Sequence, residues 1–216
     1  MTFPRQRLAA ALKLYAVTDD AWLNGRTLAA CVEEALAGGA TFVQLRQKGA
    51  TTEQLTKQAR QLIPLCQTTG APFVVNDDVQ AALVSGADGV HVGQSDTACA
   101  DARAALGPDA IVGVSVQTVD QALAAQAAGA DYLGVGALFA TPTKPDAEVV
   151  PLPTLRAICR AADIPVVAIG GLDARTIPQL AGTGVAGAAV VSAIFAADDI
   201  EAATHALSAA IGAAMV

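Results

Sequence analysis

The chain has 216 residues, with 20 acidic against 13 basic side chains and a net charge of −7. That balance excludes a nucleic-acid binder built on a basic face, and it leaves any site for an anion dependent on a few local cations. Hydrophobic residues make up 53% and charged residues 15%, so disorder is excluded and nearly every segment has to pack.

In chain order, residues 1–12 carry two basic residues but no signal-like apolar core closed by a cleavage site, and are expected to be a loose lead-in to a cytoplasmic protein. No apolar run approaches the length of a bilayer span. Short apolar runs then alternate with longer helical patterns. The runs at 14–17, 42–45, 73–75, 89–92, 111–114, 132–135, 166–169 and 188–191 are apolar on both faces, as strands of a helix-covered parallel sheet must be. Ala-, Leu- and Gln-rich segments at 27–36, 52–68, 79–84, 97–106, 119–128, 152–162, 174–181 and 200–214 favour helix. Pro64 is expected to kink the second of these or end it early. Gly39, Gly86, Gly129 and Gly184 recur before the second, fourth, sixth and eighth strands, where glycine accepts the left-handed end of a helix. Eight βα units in this length predict one α/β domain over residues 1–216, a single (β/α)8 TIM barrel. The rival, an open doubly wound sheet, lacks a glycine-rich turn after its first strand. Cys31, Cys66, Cys99 and Cys159 lie far apart within apolar helical patterns and read as small buried hydrophobes in a reducing compartment.

In such a barrel the chemistry gathers where strands run into helices. After the first strand, Asp19 and Asp20 are expected to cap the next helix. After the second, Gln44 and Arg46 share a face by alternation and Lys48 comes next at the rim. An arginine inside a barrel is costly without an anion; the choices are a ligand or a structural ion pair. The third strand ends in Asn76-Asp77-Asp78 and the fourth in Gln94-Ser95-Asp96. If Asp77 and Asp96 emerge from one rim they repel each other unless a cation lies between, and Mg²⁺ takes one or two carboxylates while leaving positions for water and phosphate. The alternative is that both merely cap helices. His91, within the fourth strand, is expected to be buried and hydrogen-bonded.

Ser115 after the fifth strand is suited to donate to a phosphate, and no neighbouring histidine or lysine marks it as an activated nucleophile. Residues 136–146 form the longest irregular connection, a flap offering Thr141, Thr143 and Lys144. Gly170-Gly171 and Val191-Ser192 predict a phosphate cradle, with a short extra helix starting near Ser192. Two carboxylates, three cations, hydroxyls and a cradle exceed the needs of one phosphate. They fit a pyrophosphate on Mg²⁺ beside a separate monophosphate, with bond-making reliant on charge stabilisation.

These strand ends, with Tyr15-Ala16-Val17-Thr18-Asp19, Gln44-Leu45-Arg46-Gln47-Lys48, Asn76-Asp77-Asp78, His91-Val92-Gly93-Gln94-Ser95-Asp96, Gly113-Val114-Ser115 and Thr141-Pro142-Thr143-Lys144 in order, resemble the thiamine-phosphate synthase family over nearly the whole chain. The resemblance implies a transferase that condenses hydroxymethylpyrimidine diphosphate with phosphorylated hydroxyethylthiazole to thiamine phosphate and pyrophosphate. It implies that Gln44, Arg46, Lys48 and Asn76 hold the pyrimidine diphosphate, that Asp77 and Asp96 hold Mg²⁺, and that Ser115 and Lys144 contact the pyrophosphate. Thr141, Thr143, Gly171, Val191 and Ser192 fall on the thiazole-phosphate side. The implied partners are small molecules, with no nucleic acid and no membrane; the oligomeric state is open. Ala137 and Ala140 stand where the family often has proline, and Gln117 where histidine is frequent. A thiazole tautomerase-like relative and a non-catalytic phosphate-binding barrel stay as alternatives; the missing histidine and the paired aspartates weigh against the tautomerase.

Overall fold

Alternate residues of a strand face opposite sides, so a strand buried on both faces splits its side chains between two cores. The computed structural model describes residues 4–94, 97–141, 143 and 148–215. Among them are eight strands: β1 (Leu14–Val17), β2 (Phe42–Leu45), β3 (Phe73–Asn76), β4 (Gly89–Val92), β5 (Ile111–Val116), β6 (Tyr132–Val135), β7 (Val166–Ile169) and β8 (Gly187–Val190). Each pairs in parallel with the next, and β1 also pairs with β8, Tyr15 lying between Phe42 and Ala189. The sheet therefore closes into the expected (β/α)8 barrel. Outward residues such as Ala16, Val43, Val75, Val112, Leu133 and Ala168 pack against the helices. Inward Tyr15, Phe42, Val74, Ile111, Tyr132, Val167 and Ala189 fill the barrel instead. The rings of Tyr15, Phe42 and Tyr132 meet there, with centroids 4.4 to 6.0 Å apart.

The expectation of a loose lead-in is corrected. Residues Leu8–Ala11 form a short helix, α1, and Leu8 and Leu12 are buried in the barrel's interior cluster. Without them the aromatic layer would face water at the barrel's lower mouth, so the two leucines, one helical turn apart, close it. The fit is tight: a Cβ on Gly187 would lie 1.9 Å from the Leu12 carbonyl oxygen.

The outer helices are α2 (Leu28–Ala37), α3 (Thr52–Thr69), α4 (Val79–Ser85), α5 (Cys99–Leu106), α6 (Val119–Ala127), α7 (Leu152–Ala161), the short α8 (Ser192–Phe195) and α9 (Ile200–Ala214). Pro64 does not end α3, which runs on to Thr69. Both Pro64 and Arg60, whose carbonyl loses its partner, are exposed, so water can take the place of the missing bond. The helix expected at 174–181 is a 3₁₀ turn, Ile177–Leu180, because Pro178 removes a donor at its start and Gly182, at φ 67°, stops it. The four recurring glycines do adopt the left-handed region, at φ 100°, 79°, 93° and 91°. No helix among the described residues is long and apolar enough to cross a membrane. All four cysteines are free; burial pushes the Cys66 thiol up to about 12 and Cys159 up to about 11, which leaves little thiolate at neutral pH.

Arg103 on α5 braces the wall where the β5 and β6 approaches meet. It donates to the carbonyls of Gly107 (2.9 Å), Ala110 (2.6 Å) and Gly129 (3.0 Å), and it pairs with buried Asp131. Asp131 also accepts from the Val112 N–H at 2.8 Å. Arg103→Ala removes a charged partner of a buried carboxylate and is expected to cost about 3 kcal/mol; chemical denaturation of the variant checks this.

Candidate active site

The C-terminal strand ends open into a cleft of about 1420 Å³. Gln44, Arg46, Lys48, Asn76, Asp77, Ser115, Thr141, Thr143, Gly171, Val191 and Ser192, all picked out from the sequence, line it together. Asp96 and Lys144 lie outside the described residues.

The β1 and β2 ends are bolted together before any ligand is considered. The Thr18 hydroxyl accepts from the Arg46 N–H at 2.9 Å and donates to the Arg46 carbonyl at 3.1 Å. The guanidinium of Arg46 donates to Asp19 Oδ2 at 2.7 Å, while Asp19 Oδ1 accepts from the Ala21 N–H. Asp19 is thus a cap, as expected, and also the ion-pair partner of Arg46. Lys48 stands exposed at the rim. Gln44 is buried beneath and donates from Nε2 to the Tyr15 hydroxyl at 2.5 Å.

The two adjacent aspartates after β3 divide their tasks. Asp78 is the N-cap of α4, accepting from the Ala81 N–H at 2.7 Å and from the Thr52 hydroxyl at 2.7 Å. Asp77 takes a left-handed backbone, φ 63°, which costs a non-glycine residue about 1–2 kcal/mol and is most tolerable for Asp and Asn. Its N–H donates to the His91 carbonyl, and its carboxylate accepts from Asn76 Nδ2 at 2.5 Å. The capping alternative therefore fails for Asp77. In α5 the cap position is Ala98.

His91 is buried and hydrogen-bonded, as expected: Nδ1 lies 2.9 Å from the Tyr132 hydroxyl and Nε2 2.9 Å from Ser115 Oγ. The reading that Ser115 has no histidine neighbour is corrected, because β4 and β5 are adjacent and put His91 beside Gly113, one inward step below Ser115. Tyr15, Tyr132, Asp19 and Gln94, whose Nε2 donates to the Ser115 carbonyl, were also missed. The tyrosines carried a usable signal, since a hydroxyl in an otherwise apolar inward strand needs a partner.

The glycine pair after β7 has a different first duty from the one expected. Gly170 and Gly171 are left-handed at φ 93° and 65°, and a Cβ on Gly171 would meet the Phe139 and Ala140 carbonyls at 2.8 and 2.7 Å. The backbone that approaches them is the flap's own base, which is further tied by Leu138 N–H to the Ile169 carbonyl and Val150 N–H to the Ala137 carbonyl. Both glycines still line the cleft. The predicted extra helix is α8, and its first turn leaves N–H groups without intrahelical partners at Val191 and Ser192. Arg26 grips its far end through the Phe195 and Ala197 carbonyls. In the flap, Thr143 Oγ1 is buried without a hydrogen-bond partner among the described residues.

The residues at the β3 end suit a hard divalent cation. Asp77 and Asn76 offer hard oxygen donors and no soft sulfur ligand, and the left-handed turn keeps Asp77 out of the helix cap.

The family described as thiamine monophosphate synthase matches residues 14–194. The chain belongs to that family. It is 48% identical over 188 residues to the thiamine-phosphate synthase of Ruminiclostridium cellulolyticum, covering 87% of this chain and 90% of the relative. With that of Chloroflexus aurantiacus it is 47% identical over 200 residues, 92% of each. The solved thiamine phosphate pyrophosphorylase from Pyrococcus furiosus superposes with a TM-score of 0.89 at 39% identity, covering 97% of this chain and all of that one. Membership assigns the chain to the transferases of thiamine biosynthesis and its function to the synthesis of thiamine phosphate. Within this family frame, Gln117 donates weakly to the Gly136 carbonyl at 3.4 Å and so links the cleft wall to the flap base.

Asp77→Asn keeps a side chain that tolerates the left-handed backbone but removes the charge. It is expected to lower turnover at least a hundredfold with an unchanged melting temperature, whereas Asp77→Ala loses the turnover and about 1 kcal/mol of stability as well. Steady-state assays and thermal unfolding of the two variants check the split.

Proposed function

We propose that this transferase joins 4-amino-2-methyl-5-hydroxymethylpyrimidine diphosphate to 4-methyl-5-(2-phosphoethyl)thiazole, releasing pyrophosphate. The carrying observation is the cleft itself: at about 1420 Å³ it exceeds the roughly 300–1,000 Å³ that serves one drug-sized ligand, and its polar groups come from two arcs of the closed barrel, the β2–β5 ends and the β6–β8 ends. The β2, β3 and β5 ends bring Gln44, Arg46, Lys48, Asn76 and Ser115 to one side, for the pyrimidine diphosphate. The β6, β7 and β8 ends carry Thr141, Thr143, Gly171, Val191 and Ser192, which we assign to the thiazole phosphate; the Thr143 hydroxyl, without a hydrogen-bond partner among the described residues, is suited to donate to it.

The carbon–oxygen bond to the diphosphate breaks with both electrons leaving on oxygen, and the thiazole nitrogen then donates its lone pair to the same carbon. No proton has to be removed, which agrees with a cleft without an unengaged histidine among the described residues. Arg46 is held rigid by Asp19 and needs little reorganisation to meet a phosphate. Lys48 reaches from the rim as a mobile point charge, and Lys144 is assigned the same duty from the flap. Asp77 and Asp96 would hold Mg²⁺, which when bound supplies neutralisation of the leaving diphosphate. The free thiols support a reducing, cytoplasmic setting.

Incubating the protein with both phosphorylated precursors is expected to give thiamine phosphate and pyrophosphate in equal amounts, and chelation of Mg²⁺ to abolish both. Binding without pyrophosphate release would instead indicate the non-catalytic barrel. Chelator-insensitive isomerisation of an aminothiazole would indicate the tautomerase.

A further inference from the structure

We propose that Tyr15, Tyr132 and His91 form a polarity relay that holds the Ser115 hydroxyl as a hydrogen-bond donor toward the cleft. Four hydrogen bonds run across the barrel from β2 to β5: Gln44 Nε2 to Tyr15 (2.5 Å), Tyr15 to Tyr132 (2.8 Å), Tyr132 to His91 Nδ1 (2.9 Å), and His91 Nε2 to Ser115 Oγ (2.9 Å). Each phenol owns one hydrogen. Tyr15 accepts from the Gln44 amide, so its own hydrogen goes to Tyr132, and that of Tyr132 goes to His91 Nδ1. A neutral imidazole that accepts at Nδ1 carries its hydrogen on Nε2 and donates it to Ser115. Ser115 Oγ thereby accepts from the ring, and its own hydrogen is left for the cleft that Ser115 lines.

Burial supports this order by pushing both phenols well above the usual tyrosine range, so each keeps the hydrogen it has to hand on. The backbone makes room for the chain as well. A Cβ on Gly113 would lie 2.1 Å from Tyr132 Cζ, and one on Gly134 would lie 3.1 Å from His91 Cε1.

The relay has one effect on the chemistry of Ser115 and another on the coupling of the two ends. Ser115 beside a histidine looks like a nucleophile with its base, but a ring with its hydrogen on Nε2 cannot take the serine proton. A preorganised donor instead suits phosphate oxygens, which only accept. The coupling rests on the proposed placement of the two halves of the pyrimidine diphosphate. Turning the Gln44 amide over would reverse all four bonds and present a serine lone pair to the phosphate. The amide orientation at the pyrimidine end and the hydroxyl orientation at the diphosphate end are therefore linked. Tyr15, Tyr132 and His91 are positioning residues in this scheme.

The chain has two histidines, and His205 is exposed on α9, so ¹⁵N-histidine NMR resolves His91 without substrate. Above the ordinary imidazole range, the wild-type His91 ring is expected to carry its hydrogen on Nε2; hydrogen on Nδ1 would overturn the relay, whatever the activity proves to be. Tyr132→Phe keeps the ring packing and removes the donor to Nδ1. It is expected to abolish that tautomer preference and to lower kcat/KM for the diphosphate about tenfold, leaving KM for the thiazole phosphate unchanged. Adding Ser115→Ala to Tyr132→Phe should then cost much less than Ser115→Ala costs alone. Full additivity would show that Tyr132 acts through packing only and would refute the relay. If Tyr132→Phe does not fold, the wild-type spectrum still decides. A wild-type protein with the Nε2 tautomer but no pyrophosphate release would defeat the proposed function and leave the relay standing.

Discussion

A polar group set inside this barrel is shut off from solvent below, because Leu8 and Leu12 seal the lower mouth and the Tyr15–Phe42–Tyr132 rings fill the middle. Each buried donor or acceptor left unpaired there costs about 1–3 kcal/mol, against a typical total stability of about 5–15 kcal/mol. Two or three lapses would consume much of that margin. Partnering is therefore compulsory, and it dictates the architecture of the site floor. Arg46 takes Asp19, Gln44 takes Tyr15, and the phenols pass the requirement on through His91 to Ser115. The rim above inherits side chains whose orientation has been settled from below, which is what a site that stabilises charge without reorganising requires.

The same constraint explains what was legible in the sequence. Strands buried on both faces announce themselves as short apolar runs, so all eight could be placed within two residues at either end. The strand-end positions of Gln44, Arg46, Lys48, Asn76, Asp77 and Ser115 came from alternation and one rule about where barrels do chemistry. What a residue touches across the sheet was not legible in the same way. Arg46 and Asp19 are 27 positions apart, and His91 and Ser115 are 24 apart. Such pairs exist only once the strand register is known. The paired glycines were read for a ligand when the first body against them is the chain's own flap. The plug formed by Leu8 and Leu12 was missed because an apolar pair one turn apart is too short a pattern to stand out from a terminus. The left-handed turn at Asp77 had a faint signal, since Asn and Asp are the side chains that accept it, but nothing separated Asp77 from Asp78 as the cap.

That separation matters for the charge of the site. Among the described residues lining the cleft, Arg46 and Lys48 are cations, while Asp77, Asp78 and Glu148 are carboxylates. Arg46 is already balanced by Asp19, which leaves Lys48 as the described cation with no carboxylate within ion-pair distance. An anion with several charges would enter a cleft whose described lining carries more carboxylates than cations, on a chain of net charge −7. Screening removes the long-range part of that repulsion beyond about 8–10 Å, but not the part inside the cleft. Asp78 contributes least, being committed to the α4 N–H groups and Thr52. Asp77 stays out of the cap because of its left-handed turn, and its carboxylate accepts from Asn76 instead. In the proposed reading a divalent cation bound at Asp77 would make that carboxylate a ligand and not a neighbour that repels the diphosphate.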